Sequence, residues 1–100
     1  MSYYGKTITN PAQGSNTDID WNGSTGMFAV GGSNFRSQTV KLQHKVGDTW
    51  VDIGAAASLT ASGSVLFTTS SSQVRVNVTG SGDPLVAVVE VKKVTENTAY

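Results

Sequence analysis

Cysteine is absent from the chain, proline occurs twice, and charged side chains make up only 14% of the 100 residues. Without cysteine the chain can form neither an internal disulfide nor a thiolate zinc site. Seven basic residues balance seven acidic ones, so no long-range field draws the protein to nucleic acid or to an anionic membrane. We therefore expect a partner that is not a polyanion.

Long apolar runs are lacking as well. No segment approaches the roughly 18 apolar residues that span a bilayer. The N-terminal stretch MSYYGKTITNPAQG has neither the basic region nor the apolar run of a signal peptide. These absences predict a protein that is made in the cytoplasm and does not enter a membrane.

What the chain has in plenty is Ser, Thr, Gly and Val, a composition typical of β-structure. The stretch QVRVNVTG alternates, so Val74, Val76 and Val78 share one face of a strand. Turn signals recur at intervals of roughly 8 to 15 residues, and no segment sustains a helical period. We predict an all-β protein, a small antiparallel β-sandwich (Ig-like or jelly-roll-like) of about seven strands over residues 16–100. Residues 1–15 are predicted to form an N-terminal arm.

The stretch VKLQHKVGDTWVDIG predicts a β-hairpin in residue-level detail. Gly47-Asp48 fits a two-residue type II′ turn, which sets Lys45 opposite Trp50 and places the indole outside the core. The same register pairs His44 with Val51 and Leu42 with Ile53. A loop one residue longer would turn the indole inward. An outward Trp50 can either cover the alkyl chain of Lys45 or anchor a protein interface.

The last strand, within LVAVVEVKKV, is apolar on both rows. Leu85, Ala87 and Val89 belong to one row, yet Val86 and Val88 occupy the opposite row, which a half-exposed sheet should fill with polar residues. Two explanations stay open. Either a loop or the N-terminal arm covers Val86 and Val88, or they contact another subunit or a partner.

Side chains suited to catalysis or metal binding are few. His44 is the only histidine, and its apolar strand face indicates a packed or rim residue and not a metal ligand. Asp18 and Asp20 share a strand face, but no third ligand group accompanies them, so solvated carboxylates are the better interpretation. The serines have no base beside them in the sequence. We predict no catalytic, cofactor or metal site and no enzymatic activity.

One long stretch resembles a known group of proteins. The run TVKLQHKVGDTWVDIGAAASLTASGSVLFTTSSSQVRVNVTGSGDPLVAVVEV combines a V-x-L-Q strand, a Gly-Asp turn, T-W-V-D-I-G, a leucine-threonine segment and VRVNVTG before a final apolar strand. This pattern resembles small bacteriophage virion proteins over roughly residues 26–94. The resemblance implies a capsid decoration (cement) protein or a related head or tail component, oligomeric and without enzymatic activity.

The leading hypothesis is therefore a phage structural protein located in the virion head. It would form a homo-oligomer, most simply a trimer, and bridge subunits of the major capsid protein. The interface residues predicted for this role are Tyr3 and Tyr4 in the arm, Trp50 on the hairpin, and Val86 and Val88 on the last strand.

The alternative hypothesis is a glycan-binding module, or a structural component, of a phage tail, fibre or collar. In the glycan-binding module, Trp50 and Trp21 would stack on sugar rings while Asp18, Asp20 and Gln43 would hydrogen-bond to hydroxyl groups.

Overall fold

The computed structural model describes residues 5–54, 57–80 and 84–94, without the side chains of Thr17 and Ser24. Within these ranges the chain forms nine strands: β1 (Gly5–Thr9), β2 (Gly14–Asp20), β3 (Ser24–Asn34), β4 (Thr39–Val46), β5 (Thr49–Asp52), β6 (Ser58–Leu59), β7 (Gly63–Thr69), β8 (Gln73–Thr79) and β9 (Val86–Lys93). None of the described residues belongs to a helix that could span a membrane.

The strands form two antiparallel sheets. Sheet A has the order β1-β9-β3-β7, and sheet B has the order β2-β8-β4-β5 with β6 also paired to β4. The first strand thus pairs with the last, β2 with β8, β3 with β7, and β4 with β5 and β6. A chain paired in this way is one long antiparallel ribbon rolled into two facing sheets, the arrangement of a jelly roll. The prediction of an all-β antiparallel sandwich is confirmed. Of the two strand orders left open, Ig-like and jelly-roll-like, the structure has the jelly-roll order.

The structure describes nine strands where about seven were expected. One addition is β2, whose polar sequence GSNTDID is typical of a loop. It is nevertheless a strand, because it lies at the edge of sheet B and turns Ile19 into the core while Asp18 and Asp20 stay exposed. The other addition is β6, which is only two residues long and is too short for a periodic signal.

Part of the predicted N-terminal arm is built into the sandwich. Residues 5–9 form β1, which pairs along β9 from Gly5 opposite Lys92 to Thr9 opposite Val88. Asn10 extends this contact, since its backbone N–H donates to the Ala87 carbonyl oxygen at 2.7 Å and its Oδ1 accepts from the Ala87 N–H at 3.1 Å. Residues 5–15 are therefore an edge strand, a connection and the beginning of β2. The predicted contacts of Tyr3 and Tyr4 lie outside the described residues.

The core lies between the inner faces of the two sheets. Alternate residues of each strand point into it, as the strict alternation of buried and half-buried positions along β8 shows. Both sheets contribute to one apolar cluster, whose largest fully buried members are Trp21, Phe28, Leu42, Leu85, Val40, Val74, Val76, Val78, Val89 and Val91. The inner faces are consequently committed to packing, and the outer faces are the surfaces open to a partner.

Trp21 is packed at one end of this core, where the backbone of β3 approaches it closely. Its ring centroid lies 5.2 Å from that of Phe67. A Cβ atom at Gly26 would come within 2.7 Å of the Phe67 ring and still closer to the indole of Trp21. Gly26 is therefore required by the two aromatic rings that fill the space above it.

We predict that Gly26→Ala destabilises the protein by about 1–3 kcal/mol, because the added methyl group must displace two packed rings. Urea unfolding followed by tryptophan fluorescence measures the effect. Gly31→Ala in the same strand is the matched control, since its Cβ would meet nothing within 4 Å. Equal stabilities of the two variants would contradict this account of the core.

Candidate binding surfaces

The β4–β5 hairpin has the predicted register. Gly47 has a φ of 63°, as the first central residue of a type II′ turn requires. Lys45 lies opposite Trp50 and His44 opposite Val51, and the Ile53 N–H donates to the Leu42 carbonyl oxygen at 3.1 Å. The indole of Trp50 is half-buried on the outer face of sheet B and does not belong to the core. Its predicted placement outside the core is confirmed.

The main neighbour of Trp50 is Arg75, which the sequence did not indicate. The guanidinium carbon of Arg75 lies 4.3 Å from the centroid of the indole, whereas the Lys45 ammonium is 5.9 Å away. Both distances fall in the range of cation–π attraction. Arg75 reaches the indole across β4, since β8 and β5 flank that strand. The arginine thus holds the indole against the sheet.

A chain of hydrogen bonds continues from Arg75 across the sheet. Its Nε donates to Gln43 Oε1 at 2.9 Å, and Gln43 Nε2 donates to Asp52 Oδ1 at 2.8 Å. Lys41 Nζ pairs with the other carboxylate oxygen of Asp52 at 3.3 Å. These contacts connect three strands, so the side chains are held in fixed positions relative to one another.

Sheet pairing brings two further carboxylates to the same face. Asp18 lies opposite Arg75, and Asp20 lies opposite Gln73, whose Nε2 donates to Asp20 Oδ1 at 3.4 Å. We call the whole surface the polar face. It comprises Asp18, Asp20, Lys41, Gln43, Lys45, Trp50, Asp52, Gln73, Arg75 and Asn77.

The residues predicted for glycan binding are therefore only partly brought together. Asp18, Asp20, Gln43 and Trp50 share the polar face although β2 and β5 are distant in sequence. Trp21 does not join them, because it is fully buried in the core. Its predicted contact with sugar was wrong. The rings of Phe67 and Trp21 pack together at the end of the sandwich, so no part of the Trp21 indole is accessible to a ligand.

The pKa of the Asp52 carboxyl group is lowered within this network. The hydrogen bond from Gln43 lowers the pKa of its carboxyl group, and the nearby Lys41 adds to that effect by hydrogen bonding and charge, while partial desolvation opposes it. A lowered folded-state pKa means that the network stabilises the fold above the unfolded-state pKa. This contribution is lost as the pH falls through the folded-state value.

We predict that Gln43→Ala raises the pKa of Asp52 toward its ordinary value of 3.8, because the variant removes the strongest hydrogen bond to the carboxylate. Lys41→Ala should raise it as well, because it removes both a hydrogen bond and a nearby positive charge. NMR titration of the Asp52 carboxyl carbon measures both shifts. An unchanged pKa in Gln43→Ala would show that the Gln43–Asp52 bond does not persist in solution.

The opposite outer surface, that of sheet A, carries exposed apolar side chains among polar ones. Met27 of β3 pairs with Leu66 of β7 and with Lys92 of β9, and Val88 pairs with Gly31. Five apolar side chains on this surface are 40% to 64% exposed. We call them the apolar face: Met27, Leu66, Val86, Val88 and Val94. Small residues between them, Ala29 and Gly31, keep the surface flat.

Val86 and Val88 are uncovered in the described part of the chain, at 42% and 40% exposure. The described N-terminal residues do not cover them, because β1 pairs beside β9 in the sheet and does not lie over it. Trp50 belongs to the other sheet. Among the predicted interface residues that the structure describes, Trp50 therefore lies on one face of the sandwich and Val86 and Val88 lie on the opposite face, and one flat partner cannot contact both.

Met27 and Leu66 were missed by sequence reasoning. The signal lay in the strands GMFAVGG and SVLFTT, where apolar residues occupy adjacent positions and so must lie on both faces. The buried member of each pair, Phe28 or Phe67, faces the core, and its neighbour is left outside.

His44 connects the two sheets at the end of the sandwich. Its Nδ1 lies 2.7 Å from Thr69 Oγ1 on β7 and 3.2 Å from Ser71 Oγ. The Ser71 hydroxyl donates to the Lys45 carbonyl oxygen at 2.7 Å, so its proton is already engaged. This arrangement is a polar contact at the rim, as predicted for His44.

No group of three or more potential metal ligands occurs among the described residues. No protein-family model matches the chain, and no curated protein or solved structure matches it either.

Proposed function

We propose that the chain is a non-enzymatic structural protein of a phage virion, a capsid decoration protein that binds its partner through the apolar face of sheet A. The observation that carries this proposal is the exposure of five large apolar side chains on one outer face. The virion context comes from the resemblance of roughly residues 26–94 to small bacteriophage virion proteins.

The apolar face has the features of a surface that is buried on assembly. An outer sheet face normally carries polar residues, and a cluster of exposed apolar side chains on it marks an interaction site. The five side chains form two groups, Val86 with Val88 and Met27 with Leu66 and Val94, and Glu90 and Lys92 lie between Val88 and Val94 along β9. Here Leu66 is 64% exposed and lies directly opposite Met27 on the neighbouring strand. Glu90 and Lys92 are paired with each other at 3.3 Å on the same face, so they present no net charge to a partner.

Because the two faces are on opposite sides of the sandwich, binding through one of them fixes the orientation of the protein on the capsid. With the apolar face against the major capsid protein, the polar face of sheet B points toward solvent. A contact of even about 400 Å² of apolar surface per subunit, at roughly 25 cal/mol per Å², supplies about 10 kcal/mol before the costs of association. In a trimer the three contacts act together, and the effective affinity rises further.

We predict that Val88→Lys weakens binding to the expanded capsids of the same virus at least about tenfold, because a charge replaces an apolar side chain of the proposed contact. Co-sedimentation with the capsids measures the bound fraction. The matched control is Val46→Lys, since Val46 is 52% exposed but lies on sheet B.

Retained binding by Val46→Lys together with lost binding by Val88→Lys is the expected result. If both variants bind as well as the parent protein, the apolar face is not the contact. If the parent protein does not bind the capsids, the decoration role is wrong.

A further inference from the structure

The polar face of sheet B is not used by the proposed contact of sheet A. We infer that the polar face is a binding site for neutral oligosaccharides, with Trp50 as the stacking residue and Arg75, Asp18 and the Gln43–Asp52 pair as the hydrogen-bonding groups. This inference concerns the opposite sheet and does not depend on the decoration role.

The indole of Trp50 is presented in a fixed position. Arg75 contacts the ring at 4.3 Å and is itself held by the 2.9 Å bond from its Nε to Gln43. Because the indole is half-buried, part of its surface is open to solvent. An ordered aromatic ring loses little entropy when a ligand stacks on it, and the apolar C–H face of a pyranose ring is a suitable ligand surface.

Hydrogen-bonding groups on the polar face remain available. Arg75 uses its Nε, and no described residue accepts a hydrogen bond from its terminal amino groups. Asp18 lies opposite Arg75 in the sheet register, yet no ion pair joins these two residues within the described part of the chain. A donor group and an acceptor group on adjacent strands are the combination that sugar hydroxyls require, since each hydroxyl both donates and accepts.

The charges on the polar face balance, and this balance decides the ligand class. Three cationic side chains lie on the two central strands and three anionic ones on the strands that flank them, namely Lys41, Lys45 and Arg75 with Asp18, Asp20 and Asp52. A polyanion would meet three carboxylates, and an apolar protein surface would bury six charges at a high cost. A neutral ligand rich in hydroxyl groups incurs neither penalty.

The two tryptophans of the chain provide a direct readout. In a ¹H–¹⁵N correlation spectrum each indole N–H gives one signal. The signal that is missing from the Trp50→Phe variant belongs to Trp50, and the other belongs to Trp21. Maltohexaose, cellohexaose, laminarihexaose and chitohexaose serve as probes at millimolar concentration. We expect at least one of them to shift the Trp50 signal in a saturable way while the signal of the buried Trp21 stays in place.

Variants separate this site from the apolar face. Trp50→Ala should weaken binding of the active oligosaccharide about tenfold, which corresponds to 1.4 kcal/mol, as followed on backbone amides of β4 and β8. Asp18→Asn should weaken it by about threefold, whereas its matched control Asp48→Asn, in the turn between β4 and β5, should not. Val88→Lys on the opposite sheet should bind the sugar like the parent protein and fail only in capsid binding.

Several results would overturn the inference. One is the absence of a saturable shift with all four oligosaccharides. Another is equal binding by Trp50→Ala and the parent protein, which would place the ligand elsewhere. A third is a response of the polar face to heparin or single-stranded DNA but to none of the neutral sugars.

Discussion

Apolar contact between the inner faces of the two sheets is the interaction on which every other feature depends. Each strand sends alternate side chains into that contact, and Trp21 and Phe67 close one end of it above Gly26. Since the inner positions are occupied by packing, the identity of each outer position decides what the surface can bind. A shift of one residue in β8 would exchange its inner and outer residues and disrupt the polar face, and the same shift in β9 would disrupt the apolar face.

The two outer faces differ because the strands of the two sheets have different patterns of apolar and polar residues. The strands of sheet B alternate cleanly between apolar and polar residues, so its outer side carries an ordered network from Lys41 to Arg75. In sheet A, β3, β7 and β9 have apolar residues at consecutive positions, which leaves Met27, Leu66 and Val88 exposed. We propose that this asymmetry divides the tasks of the molecule, with sheet A binding a protein lattice and sheet B facing a hydrated ligand.

Local features of the sequence predicted part of this arrangement. The Gly47-Asp48 turn determines the register of its hairpin, so the position of Trp50 followed by counting residues. The jelly-roll order could not be obtained in the same way, because the pairing of β1 with β9 or of β2 with β8 joins distant segments. For the same reason the contact between Trp50 and Arg75 was missed. Trp21 was misassigned because a tryptophan beside two aspartates resembles an exposed ligand-binding residue until Gly26 and Phe67 are seen to pack against it.

Oxidative footprinting of the protein on assembled capsids tests the central claim most directly. Met27 lies on the apolar face and Trp50 on the polar face, and both side chains are readily oxidised and partly exposed. We expect capsid binding to protect Met27 from hydroxyl radicals at least about threefold while Trp50 reacts as in the free protein. Protection of Trp50 with full reactivity of Met27 would show that sheet B makes the contact, and would contradict the account.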